Sequence, residues 1–192
     1  MRIISGEFRG SQLPSPPDRQ TRPITDRVKA SLFDSLMGEL PGAIVLDLFA
    51  GTGSLGLEAL SRGAQGAVFV ERRVRVAALL LSTIERFDLA DRTRVRIADA
   101  YDPPRSTFEG SEGYTMVFVD PPFRMASAVA GGDPLGRLML KLGSGDLLAD
   151  KAVVILRHDR RSSVAETFGQ LKMDKHRKYG SMVLRWYRSV GH

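Results

Sequence analysis

The chain has 192 residues, no cysteine and a formal net charge of +6. That length suits one domain around one core, and the missing cysteines exclude disulfides, thiolate-zinc sites and cysteine nucleophiles. No apolar run approaches the ~18 residues of a membrane span, and the opening "MRIISGEFRG" lacks the apolar core of an export signal, so a cytoplasmic protein with no membrane partner is expected.

The first element in chain order is a short strand in "RIISGEF", followed by a Gly-, Pro- and Ser-rich loop, "RGSQLPSPPD". A helix follows in "TRPITDRVKASLFDSLMGELPG". Thr25 or Asp26 can cap it, Val28, Leu32, Phe33 and Leu36 recur at helical spacing, and Pro41-Gly42 ends it. The pattern then alternates: strand "AIVLDLF", helix "SLGLEALSRG", strand "GAVFVE", helix "RRVRVAALLLSTIERFDL", strand "RVRIADA", strand "YTMVFVDPPF". Beyond these come a helix within "DPLGRLMLKLGSGDLLAD", a fifth strand "AVVILRHD", a further helix "SSVAETFGQ", and two strands meeting near Tyr179-Gly180. Strands alternating with helices predict an α/β fold on a mostly parallel sheet, and the closing hairpin adds an antiparallel edge.

The charge is uneven. From Lys151 onward ten Lys and Arg stand against three Asp and Glu. Such an excess suits a polyanionic partner such as a phosphate backbone, and equally a solvated basic face.

In an open parallel sheet, ligands bind beyond the carboxyl ends of the strands. Three of those ends carry acids, Asp47, Glu71 and Asp99, and the first leads into Gly51-x-Gly53-x-x-Gly56. A pyrophosphate-binding turn favours the absence of nearby negative charge. Asp47, four residues before the turn, therefore points to a ligand with a cationic part and no phosphate, such as S-adenosylmethionine. The glycines would let backbone approach it closely, Glu71 would accept from ribose hydroxyls, and Asp99 from the adenine amine. Glu71 alone would equally serve an NAD site.

The fourth strand end, Asp120-Pro121-Pro122-Phe123, decides the reading. An exocyclic base amine is a poor nucleophile because its lone pair is delocalised into the ring. Acceptors for its hydrogens, the Asp120 carboxylate and the Pro121 carbonyl, localise that lone pair. Proline stiffens the loop and presents no N–H, and Phe123 can stack on the base. Together these predict a Rossmann-like class I S-adenosylmethionine-dependent methyltransferase that acts by positioning and electrostatics without a metal, with Asp120 as acceptor or general base. His158 and His176 lack His or Cys neighbours, so no metal site is expected.

"RIISGEFRG", "TRPITDRVKASLF", "LDLFAGTGSLGLEALSRGA", "FVE" and "FVDPPF" resemble the bacterial RsmD family, the guanine-N2 methyltransferases of 16S ribosomal RNA, over nearly the whole chain. The resemblance implies S-adenosylmethionine as donor and a guanine in small-subunit rRNA, free or in a partly assembled subunit, as acceptor. It implies a monomer with a seven-stranded sheet and an N-terminal β extension, residues 1–24, that grips RNA ahead of a methyltransferase domain, residues 25–192. It places Asp120, Pro121, Pro122 and Phe123 at the target base, and Asp47, Phe49, Gly51, Gly53, Glu71, Asp99 and Ala100 at the cofactor. Its Thr-Arg-Pro block lies near the active site. After the fifth strand the family often has an acid where this chain reads "RHDRR".

Arg9, Arg22 and Arg27 are candidate RNA contacts, with Phe8 either packed or stacking. The run Lys172, Lys175, Arg177, Lys178 is either RNA-facing or a charged edge that resists aggregation. Trp186 and Tyr187 face opposite ways on one strand, so one of them is expected in the core. Tyr101 could lean on the cofactor, though packing is its simpler role. The segment Phe123 to Pro134 is expected to be a mobile loop beside the target base. Rival readings are an adenine-N6 methyltransferase, a non-catalytic RNA-binding module on the same fold, and an NAD-dependent dehydrogenase.

Overall fold

The computed structural model describes residues 1–15, 24–106, 108–122, 128–129 and 132–190. The first helix, α1 (Asp26–Asp34), opens where the Thr25 hydroxyl accepts from Val28 N. Val28, Leu32 and Phe33 then go under its inner face, and Leu36 just beyond it.

The sheet is centred on β1 (Ile44–Leu48). On one side lie β2 (Gly66–Val70) and β3 (Thr93–Arg96); on the other lie β4 (Tyr114–Val119) and β6 (Leu148–Asp159), all parallel. Two antiparallel strands follow, β9 (Leu171–Tyr179) and β10 (Met182–Ser189), with β10 between β6 and β9. The expected seven strands become eight because β8 (Thr167–Phe168) adds to the outer edge of β9, giving the order β3-β2-β1-β4-β6-β10-β9-β8. A separate parallel pair joins β5 (Ala128–Val129) to β7 (Ser163–Val164).

Helices cover both faces. α1, α2 (Ser54–Ser61) and α3 (Val74–Arg86) pack on one face against Val45, Phe69, Phe118, Ile155 and Leu184. α4 (Pro134–Leu142) packs on the other against Val117, Val154 and Leu156. This is why β1 and β2 read as unbroken apolar runs rather than alternating ones. Trp186 joins the first core and Tyr187 the second. Both are fully buried, where only one was expected, because neither face of β10 is left to water.

The helix expected at "SSVAETFGQ" is absent. Its residues form β7 and β8, and Glu166 between them accepts at its carbonyl from Met173 N on β9. Val164 and Phe168 sit four apart and are both buried, which imitates a helical stripe. Tertiary bonding overrides that spacing: Gln170 N donates to Gly143 O at the end of α4, and Phe168 pairs with Leu171.

The N-terminal segment is bonded into the domain. Arg2 and Gln12 form an antiparallel bridge, and Ile3 and Leu13 enter the first core. Glu58 on α2 accepts from Ile4 N at 2.7 Å and Ser5 N at 3.1 Å, while Ser61 Oγ accepts from Phe8 N and donates to Ser5 O. Beneath them Lys29, 1% exposed, donates to Arg2 O at 2.6 Å and pairs with Glu58, 0% exposed, at 3.2 Å. Burial pulls the Lys29 ammonium below the usual lysine range, and the Glu58 carboxylate opposes that pull.

Candidate active site

Between β1 and α2 the chain makes a turn that few sequences permit. Phe49 takes a left-handed φ of 61°, a strained conformation for a bulky residue. It sets the ring edge-on to Tyr101, centroids 5.4 Å apart. Gly51 and Gly53 follow with φ of 58° and 80°. A Cβ on Gly51 would meet nothing within 4 Å, which leaves room for a ligand against the backbone. A Cβ on Gly53 would lie 2.5 Å from Leu80 Cδ1. The second glycine therefore serves packing and turn geometry as well. Gly53→Ala is expected to cost about 1–3 kcal/mol in a urea melt, from a left-handed alanine plus overpacking. Gly51→Ala should cost less stability and weaken cofactor binding more.

Asp47 does not face the ligand space as expected. It is 1% exposed, and its Oδ2 accepts from Gly56 N at 2.9 Å inside the first turn of α2. Burial pushes its carboxyl well above the usual range, and the Gly56 N–H draws it back. The carboxylate thus occupies the helix N-terminus from within, where a pyrophosphate would otherwise bind.

A cleft opens beyond the ends of β1, β2 and β3, lined by Phe49, Glu71, Arg72, Asp99, Ala100 and Tyr101 among others. Glu71 is held by the protein: Oε2 accepts from Gly51 N, and Oε1 from both Arg73 N and Arg73 Nε, each at 2.9 Å. One acceptor position on Oε2 is left for a ligand hydroxyl. Asp99 is exposed at the rim and accepts from Tyr101 N with Oδ1. Tyr101, given packing as its simpler role, is part of the lining; burial and the Asp99 charge raise its phenol above the usual value.

Sheet register carries the second half of the site to this cleft. Leu48 pairs with Val119, so the next residues, Phe49 and Asp120, are neighbours, and Asp120 N lies 3.5 Å from Leu48 O. The Asp120 side chain is 20% exposed at the tip of β4. Pro121 is buried and Pro122 half-buried behind it. Arg157 on β6, 5% exposed, forms an ion pair with Asp120 Oδ1 through Nε. Burial raises the Asp120 carboxyl, and the Arg157 guanidinium opposes this by charge and hydrogen bond. The floor beside the pair is apolar, with Ile24, Leu55 and Leu184.

Sequence reasoning missed Arg157 as a site residue. The usable signal was strand alternation: Ile155 and Arg157 share a face with Phe118 and Asp120 once the β4–β6 register is known. Phe123 and Arg22 lie outside the described residues, as does most of the segment expected to be mobile; at its end, Asp133 caps α4 by accepting from Gly136 N. Arg9 and Arg27 are exposed and form no ion pair among the described residues. Phe8 is engaged, stacked on Phe87 with centroids 4.6 Å apart. In the basic run, Lys175 and Arg177 lie over the Trp186 ring, and Arg177 also donates to Ser31.

The family described as conserved hypothetical protein 95 matches residues 1–188. Ribosomal RNA small subunit methyltransferase D of Escherichia coli K12 is 33% identical over 190 residues, covering 98% of this chain and 89% of its own. The Bacillus subtilis protein YlbH is 31% identical over 191 residues, covering all of both chains. Among solved structures, Escherichia coli yhhF superposes with a TM-score of 0.81 at 32% identity, covering 100% of this chain and 99% of its own.

Proposed function

This chain belongs to the conserved hypothetical protein 95 family, the RsmD family, and on that premise we propose that it methylates the N2 amine of a guanine in 16S rRNA. It is an S-adenosylmethionine-dependent rRNA methyltransferase. The observation that supports this reading best is the β1–β4 register, which sets the Asp120 carboxylate beside the strained Phe49 turn.

The cleft fits the cofactor by its chemistry. It offers open space over Gly51, an aromatic wall of Phe49 and Tyr101, and acceptors on Glu71 and Asp99 for hydroxyl and amine donors. A dinucleotide fits less well, because Asp47 already fills the α2 N-terminus. When bound, the cofactor supplies an electrophilic methyl group on a sulfonium. Asp120 and the Pro121 carbonyl take the two amine hydrogens and orient the nitrogen lone pair along the line of attack. Transfer would leave the methyl on nitrogen and the C–S bonding electrons on sulfur, and Asp120 or water would receive the nitrogen's surplus proton. Phe123 stacks on the base; Arg9 and Arg22 meet phosphates along a 1–24 extension, and Arg27 does so from α1. The enzyme works as a cytoplasmic monomer without a metal.

The test is incubation of unmethylated 30S particles, or their assembly precursors, with labelled cofactor, followed by nucleoside analysis. N2-methylguanosine is the expected product. N6-methyladenosine would favour the adenine enzyme, and absence of both transfer and calorimetric cofactor binding would favour a non-catalytic RNA-binding module.

A further inference from the structure

We propose that Arg157 is a positioning residue for methyl transfer, holding Asp120 as an oriented carboxylate whose Oδ2 accepts from the substrate amine. This rests on the function proposed above.

Three observations carry it. The first is register. Val119, the last residue of β4, pairs with Leu156, so Asp120 just past the end of β4 lies beside Arg157, which is still within β6. The guanidinium is thus delivered by a strand rather than by a loop, and its Nε meets Oδ1 directly. The second is burial. Arg157 is 5% exposed and Asp120 20% exposed, so the pair lies at the boundary where a base amine would be desolvated. The third is the surroundings. Ile24, Leu55 and Leu184 form an apolar floor, so among the described residues lining it Arg157 is the cation beside the carboxylate.

Among the described residues, Arg157 is the cation that acts on the Asp120 carboxyl. Asp47, from β1, lies one rung deeper at the level of Phe118, and burial pushes its carboxyl well above the usual range. Arg177, from β9, lies across Leu184 from Arg157 and is directed to Ser31 on α1. From α2 and the residue preceding Thr25 come only Leu55 and Ile24.

The chemical consequence has a definite sign. An amine hydrogen needs an acceptor, and a protonated carboxyl offers one fewer. In a desolvated position, Asp120 alone would take up a proton more readily. A guanidinium at hydrogen-bonding distance favours the anion and also fixes which oxygen points outward. Arg157 therefore extends the acidic end of the working pH range and sets the amine's orientation. The fixed geometry also lowers the basicity of Asp120, so it acts first as an acceptor, and the surplus proton leaves after the N–C bond has formed.

The experiment measures single-turnover methyl transfer to 30S particles from about pH 5 to 9, for the wild type, Arg157→Lys and Arg157→Met. Calorimetric cofactor affinity and thermal melts accompany each protein. For Arg157→Met the acid limb should move up by about one pH unit or more. The plateau rate should fall at least about tenfold, with cofactor affinity changed less than about twofold. Lysine should restore the position of the acid limb, since it returns the charge, but only part of the plateau, since it lacks the directed Nε–H. A limb that does not move in a folded Arg157→Met protein overturns the proposal. If that variant fails to fold, Arg157→Gln gives the same reading with a neutral hydrogen-bonding side chain. A wild type that transfers no methyl to guanine sinks the proposed function itself. An active wild type with an unmoved Arg157→Met profile sinks only this inference.

Discussion

Methyl transfer is expected to fall by about 10²-fold or more when Asp120 is replaced by alanine, while the affinity for S-adenosylmethionine stays within about twofold. The separation follows from geometry. Asp120 lies at the tip of β4, whereas the cleft for the cofactor is lined from β1, β2 and β3 and their following turns. Alanine also removes the carboxylate that pairs with the buried Arg157 guanidinium, so part of any loss could come through stability. Asp120→Asn separates the two effects, since it keeps the volume and one acceptor oxygen and donates nothing useful to Arg157. Labelled-methyl incorporation, calorimetry and a thermal melt on both variants check the expectation. Turnover at wild-type rate in either would remove Asp120 from the chemistry.

The largest stability effect is expected at Glu58. It is fully buried and accepts from Ile4 N, Ser5 N and Arg62 Nε while pairing with Lys29. Glu58→Ala leaves a buried ammonium without its carboxylate and two backbone N–H groups without acceptors. The cost should be about 3–5 kcal/mol for the broken buried pair alone, a large share of the ~5–15 kcal/mol that holds a domain folded. Adding Lys29→Met should recover part of it by removing the stranded charge, and the remainder belongs to the orphaned amides. Urea unfolding of the single and double variants measures both parts. A Glu58→Ala protein as stable as the wild type would show that the pair contributes nothing.

What could be read in the sequence was local in the chain. The glycine turn, the acids at strand ends and Asp-Pro-Pro-Phe each sit within a few residues of the strand that displays them, and strand-helix alternation announced the parallel sheet. Roles that depend on a partner were less accessible. Asp47 was placed at the right strand end, but its acceptor role toward Gly56 needed the path of the turn. Arg157 needed the register between two strands separated by α4. Lys29 and Glu58 meet across 29 positions with no spacing rule to connect them. Val164 and Phe168 misled because burial at a four-residue interval has two structural solutions, and the bond from Gln170 to Gly143 selects the extended one.

The docking of Ile4, Ser5 and Phe8 on α2 has a consequence for how the chain is made. Ile4, Ser5 and Phe8 lack their acceptors on α2 until Ser61 has followed them. At about 5–20 residues per second, that interval lasts roughly 3–11 s. Throughout it, Ile3 lacks the part of its core that α2 supplies. This stretch is therefore a waiting segment, and the helix that follows the glycine turn is what ends the wait.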